Sequence, residues 1–81
     1  MEELEYSMEN DIMYVLGFED ALMGFALQFN NTVAVYDYDK CLEILSKDMT
    51  LEEAVEYMEF NVMGAYVGPN TPVFYFGDLD E

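Results

Sequence analysis

Any nucleophile, base or metal site in this chain must be built from Cys41, a few hydroxyls, Lys40, Lys47 and 18 carboxylates, because its 81 residues include no His and no Arg. Without imidazole there is no His-based triad and no His-containing zinc site. Cys41 falls in the apolar arc of a predicted helix, the setting of a buried structural thiol rather than a nucleophile. Ser7 and Ser46 have no base to activate them, and Lys40 near Asp37 reads as a surface lysine. A carboxylate pair can do acid–base work, but among 18 acids some pair always lies close, so proximity identifies nothing. Asp37-Tyr38-Asp39 begins like a calcium loop, yet its sixth position is Leu42 in place of Gly and its twelfth is Asp48 in place of Glu. No catalytic residue, metal site or cofactor is expected, and the chain does not read as an enzyme.

The carboxylates themselves are the informative feature. Glu52, Glu53, Glu56 and Glu59 occupy one broad face of a predicted helix, opposite its apolar stripe. The i,i+3 and i,i+4 like-charge pairs among them each cost about 0.2–0.5 kcal/mol of helix stability, with no lysine to offset it. Glu2, Glu5 and Glu9 repeat the arrangement near the N-terminus. Carboxylates one helical turn apart are spaced roughly 5–6 Å, comparable to successive phosphates on a nucleic-acid strand. A surface that grips phosphates with Lys and Arg can grip such a row instead. Phe60 projects between Glu53 and Glu56 on the helical wheel, and Tyr6 and Met13 flank Glu2 and Glu9. Charge steers an encounter, and desolvated rings supply affinity. The candidate partner-binding residues are therefore Glu52, Glu53, Glu56, Glu59, Phe60, Glu2, Glu5 and Glu9.

The elements that must position them follow from periodicity. Leu4, Met8, Ile12 and Val15 share a face at helical spacing, predicting a helix from Glu2 to Leu16 that Gly17 ends. Phe18, Leu22, Phe25 and Phe29 continue a second helical pattern. Met23 and Leu27 lie on its far side, so this helix is apolar nearly all round and suits burial or a subunit contact. Gly24 reads either as a point of close helix approach or as an ordinary tolerated glycine. Asn30-Asn31 marks a turn, and Thr32 to Tyr36 is the best strand, rich in β-branched residues. Asp37 or Asp39 caps a helix from Tyr38 to Lys47, and Asp48-Met49 is a short break. Thr50 with Glu53 forms a capping box ahead of the stripe Leu51, Ala54, Val55, Met58 and Val62, which Asn61 to Gly64 terminates. Residues 65–67 and 72–76 around Gly68-Pro69-Asn70-Thr71 read as a hairpin, and residues 77–81 as a frayed acidic tail. The predicted fold is one small α+β domain over residues 1–81, with about four helices packed on a two- to three-stranded sheet.

Composition bounds the function. The net charge is −16, while 53 % of residues are hydrophobic, so the chain folds rather than staying a disordered acidic tail. Such apolar content is also more than salt adaptation explains. With two lysines the chain cannot neutralise phosphates, which excludes direct binding to nucleic acid or to anionic membrane. A lone cysteine, an acidic start at Glu2, Glu3 and Glu5, and no apolar run of about 18 residues point to the cytoplasm.

Three stretches also resemble an uncharacterised family of short acidic bacteriophage-encoded proteins: 35–45 (VYDYDKCLEIL), 49–57 (MTLEEAVEY), and 60–68 (FNVMGAYVG) continuing to Thr71-Pro72. The resemblance covers about the C-terminal two-thirds and implies a phage-type accessory protein acting in the bacterial host cytoplasm. No functional residue carries over from it. By analogy, small and very negative phage proteins often mimic DNA to block restriction enzymes, CRISPR effectors, nucleoid proteins or uracil-DNA glycosylase. The leading expectation is an inhibitor of a basic nucleic-acid-binding host protein. The alternatives are a homodimeric structural or assembly protein, joined through the Phe18–Phe29 helix, and a small ligand-binding module.

Overall fold

The computed structural model describes residues 5–62 and 67–77. It is a small compact α+β domain, but among the described residues it has two α-helices rather than the predicted four, and five strands in two small sheets. Both predicted N-terminal helices are replaced by strands. Tyr6–Glu9 (β1) and Ile12–Val15 (β2) pair antiparallel, with Glu9 opposite Ile12. The two-residue turn between them, Asn10-Asp11, has φ of 55° and 66°. Positive φ at both central positions matches the right-handed twist of a hairpin, and Asn and Asp tolerate it better than most side chains. The Asn70 side-chain amide donates to the Asp11 carbonyl at 2.9 Å and ties this turn to the distant 68–71 loop.

A 3-10 turn, Glu19–Ala21, and strand Leu22–Gln28 (β3) stand where the second helix was predicted. The pairing of β3 skips a residue between Leu22 and Gly24. Gly24 sits at this bulge with φ +157°, a backbone conformation that side-chain-bearing residues rarely adopt. Phe29-Asn30 then turns the chain into Asn31–Asp37 (β4), which spans the predicted strand.

Both later helices form where their caps predict. Tyr38–Leu45 (α1) begins where the Asp39 N–H donates to the Asp37 carboxylate at 3.0 Å, so the apparent start of a calcium loop is a helix cap. Leu51–Tyr57 (α2) opens with the capping box: the Glu53 N–H donates to Thr50 Oγ1 at 3.1 Å, and the Thr50 N–H to Glu53 Oε1 at 3.0 Å. The last turn, Met58–Val62, widens into a π-helix. In an α-helix each i+4 step drifts about 40° around the axis; the wider turn counters that drift and keeps Ala54, Met58 and Val62 all buried.

No C-terminal hairpin forms among the described residues. Gly68 to Thr71 is a hydrogen-bonded turn, with the Thr71 N–H donating to the Gly68 carbonyl at 3.1 Å. The strand that follows, Val73–Tyr75 (β5), pairs parallel with β4, Val35 opposite Val73. Parallel strands need a long crossover, and α1 and α2 supply it. The first arm of the predicted hairpin lies mostly outside the described residues, as do residues 78–81 of the predicted tail.

The core joins Val15 and Phe18 to Ala34 and Tyr36 of β4 and to Cys41, Leu45, Ala54 and Met58 of the helices. Tyr36 ties it together. Its hydroxyl accepts the Val15 N–H at 2.9 Å, and its ring meets Phe18 edge-on at 6.4 Å and Phe74 at 6.0 Å. Removing the hydroxyl strands a buried N–H, so Tyr36→Phe is expected to lose about 1–3 kcal/mol in urea unfolding. A loss within experimental error would mean that water replaces the hydroxyl.

Candidate functional site

A groove of about 1080 Å³ opens between the N-terminal hairpin and the two helices. Phe18 and Leu45, both buried, form its floor, with Leu16, Ile44 and Met49 beside them. Its wall carries four carboxylates from separate parts of the chain: Glu5 before β1, Asp48 after α1, and Glu53 and Glu56 on α2. All four are exposed, and Phe60 lines the groove among them with 76 % of its surface accessible. The capping box orients Glu53, because one of its oxygens accepts the Thr50 N–H.

Four of the eight sequence candidates therefore meet here: Glu5, Glu53, Glu56 and Phe60. Glu52 and Glu59 are exposed but do not line the groove. Glu59 lies in the π turn, so the regular row expected from Glu52 to Glu59 ends at Glu56. Glu2 lies outside the described residues. The predicted row Glu2, Glu5, Glu9 is corrected, because that segment is extended: Glu5 and Glu9 bracket β1, and four residues of strand separate them by roughly 13 Å. Tyr6 and Met13 accordingly face strand partners, Val15 and Met8, rather than flanking a helical acidic row. Asp48 is the residue that sequence reasoning missed as a site residue. As a break between helices it carried no periodic signal, and only the packing of α1 against α2 and the 3-10 turn brings it to the groove.

The chemistry of this surface is electrostatic and apolar. Burial pushes the Cys41 thiol up to about 12, with the Asp37 charge adding to the effect, so it stays protonated at neutral pH. Among the described residues no three His, Cys, Asp or Glu side chains are placed so that they could hold one metal ion, those lining the groove included. None of the described helices is long and apolar enough to cross a membrane. The two lysines can offset few of the 18 acids, so repulsion persists across a molecule 36 Å in its longest extent. The screening length falls from about 30 Å at ~0.01 M salt to about 3 Å at ~1 M. The melting temperature is therefore expected to rise by several degrees between those salt concentrations, measured by circular dichroism in NaCl. An unchanged melt would show that the charges already lie too far apart to repel.

Fold and groove together define a small α+β domain with an anionic, apolar-floored groove. No family model matches the chain, and neither a curated protein nor a solved structure does.

Proposed function

We propose that this chain is a phage-type small acidic accessory protein that binds and inhibits a basic nucleic-acid-binding host protein by DNA mimicry. In this reading it acts in the bacterial cytoplasm as an anti-defence or host-takeover inhibitor, without catalysis and without a cofactor. The observation that carries the reading is the groove, which Glu5, Asp48, Glu53 and Glu56 line together with the exposed ring of Phe60. Such a surface offers Lys and Arg side chains several carboxylates at once and gives an apolar group beside them somewhere to dock. A net charge of −16 adds long-range steering toward a cationic partner.

The test is affinity purification of the tagged chain from nuclease-treated bacterial lysate, with mass-spectrometric identification. Nucleic-acid-binding proteins are expected to be enriched and to be displaced by added duplex DNA. A capture set without such proteins, or one indifferent to DNA, counts against mimicry. A structural or assembly protein without mimicry is the second reading, favoured by the exposed apolar row on β3.

A further inference from the structure

Strand β3 lies at the edge of its sheet, since the order is β3-β4-β5 and β4 is its neighbour among the described residues. Natural edge strands are usually blunted by lysines, prolines, inward charges or bulges. β3 has one bulge at its start and none of the other protections: its sequence, LMGFALQ, contains no charge and no proline. From Gly24 to Gln28 its pairing with β4 is regular, with no further bulge.

That edge also carries apolar side chains. Phe25, Leu27 and Phe29 alternate along the chain and are 53, 74 and 89 % exposed, and Met23 is 51 % exposed. The Tyr14 ring meets Phe25 edge-on at 6.2 Å and backs it from the hairpin. Phe29 is held at φ 57°. A bulky side chain in that region costs about 1–2 kcal/mol, and a ring this exposed recovers little of it by packing within the fold. Gly or Asn would turn the chain more cheaply. A strained residue that keeps its ring in solvent points to a use outside the monomer.

Charge selects the occupant. Residues 21–36 form a run of 16 without a single acidic or basic side chain, in a chain of net charge −16. Two copies repel each other wherever their acids meet, and this neutral stretch is where they can touch without opposing carboxylates. A cationic partner would favour the acids elsewhere instead. Area agrees: at ~200 Å² for a large side chain, the four exposed residues present roughly 500 Å² per copy. Doubled across a two-fold axis, this sets an upper limit of ~1,000 Å², about what a specific interface needs, and the paired strand backbone adds to whatever part is covered.

We propose that two copies of this chain pair antiparallel along β3, edge to edge across a two-fold axis, so that Phe25, Leu27 and Phe29 of both form one shared apolar strip. The two three-stranded sheets become one six-stranded sheet, and the unpaired groups of β3 find partners. The inference is independent of the acidic-groove reading, and either can fail without the other.

Sedimentation equilibrium of the full chain, at physiological salt and from micromolar to millimolar protein, tests it. The expected result is a monomer–dimer equilibrium that closes at two copies. Leu27→Glu puts like charges at the strip and is expected to weaken the dimer by about a hundredfold, while Phe29→Gly weakens it by about tenfold. Because both positions are exposed, both variants are expected to keep the native circular dichroism, and Phe29→Gly to melt no lower than wild type once monomeric. A wild-type chain that stays monomeric at millimolar concentration overturns the proposal. So does a dimer that both substitutions leave intact, or an open-ended oligomer.

Discussion

Neutralising the four groove acids together, as Glu5→Gln, Asp48→Asn, Glu53→Gln and Glu56→Gln, is expected to weaken binding to the captured basic partner by about a thousandfold. Charged groups at an interface rim contribute on the order of 1 kcal/mol each, and about 4 kcal/mol is a factor of roughly a thousand in Kd. The fold should survive the change. Gln at position 53 can still complete the capping box with Thr50, and removing four negative charges relieves repulsion. The matching control neutralises Glu9, Glu43, Glu52 and Glu59, which are equally exposed and lie off the groove. It removes the same charge and is expected to cost about tenfold or less, mostly in association rate and salt dependence. Isothermal titration calorimetry on both variants decides the matter. Equal losses would mean that the partner responds to total charge and that the groove is not its site.

The largest stability effect is expected at Phe18. Its side chain is 1 % exposed, packs edge-on against Tyr36 and floors the groove. Phe→Ala in such a position removes about 3–5 kcal/mol. A domain of 81 residues has only about 4–12 kcal/mol of net stability, at ~0.05–0.15 kcal/mol per residue. Phe18→Ala should therefore leave the chain barely folded at room temperature, read as a collapsed midpoint in urea. Phe60→Ala, with the same atoms removed from an exposed ring, is expected to change stability by less than about 0.5 kcal/mol while weakening partner binding. A Phe18→Ala variant as stable as wild type would mean that the core closes over the cavity.

These contrasts show where sequence reasoning reaches. The second half of the chain was readable because its signals are local. Asp37 caps α1 within two residues, and Thr50 and Glu53 cap α2 within three. Residues 32–36 carry enough β-branched side chains to read as strand wherever they lie. The first half misled because its apolar spacing suits more than one structure. Leu4, Met8, Ile12 and Val15 recur as on a helix, yet Tyr6, Ile12, Tyr14 and Val15 also favour strands. The deciding signal was Asn10-Asp11, two residues that accept positive φ in the middle of the supposed helix. Phe29 offered no such warning, since a bulky residue is not expected in that conformation. Residues 72–76 read as a strand and β5 forms there, but its pairing could not be read locally, because its partner β4 lies across both helices.

The sequence alone determined what lies close along the chain and what sums over it: the negative charge, the lack of imidazole, the two capped helices and the central strand. Only the tertiary structure decided which acids share a surface and which apolar residues stay outside. Strand pairing joins residues far apart in sequence, so its energy has no local signature. Packing then brought Asp48 to the groove beside Glu5, Glu53 and Glu56, and left Phe25, Leu27 and Phe29 on an open edge.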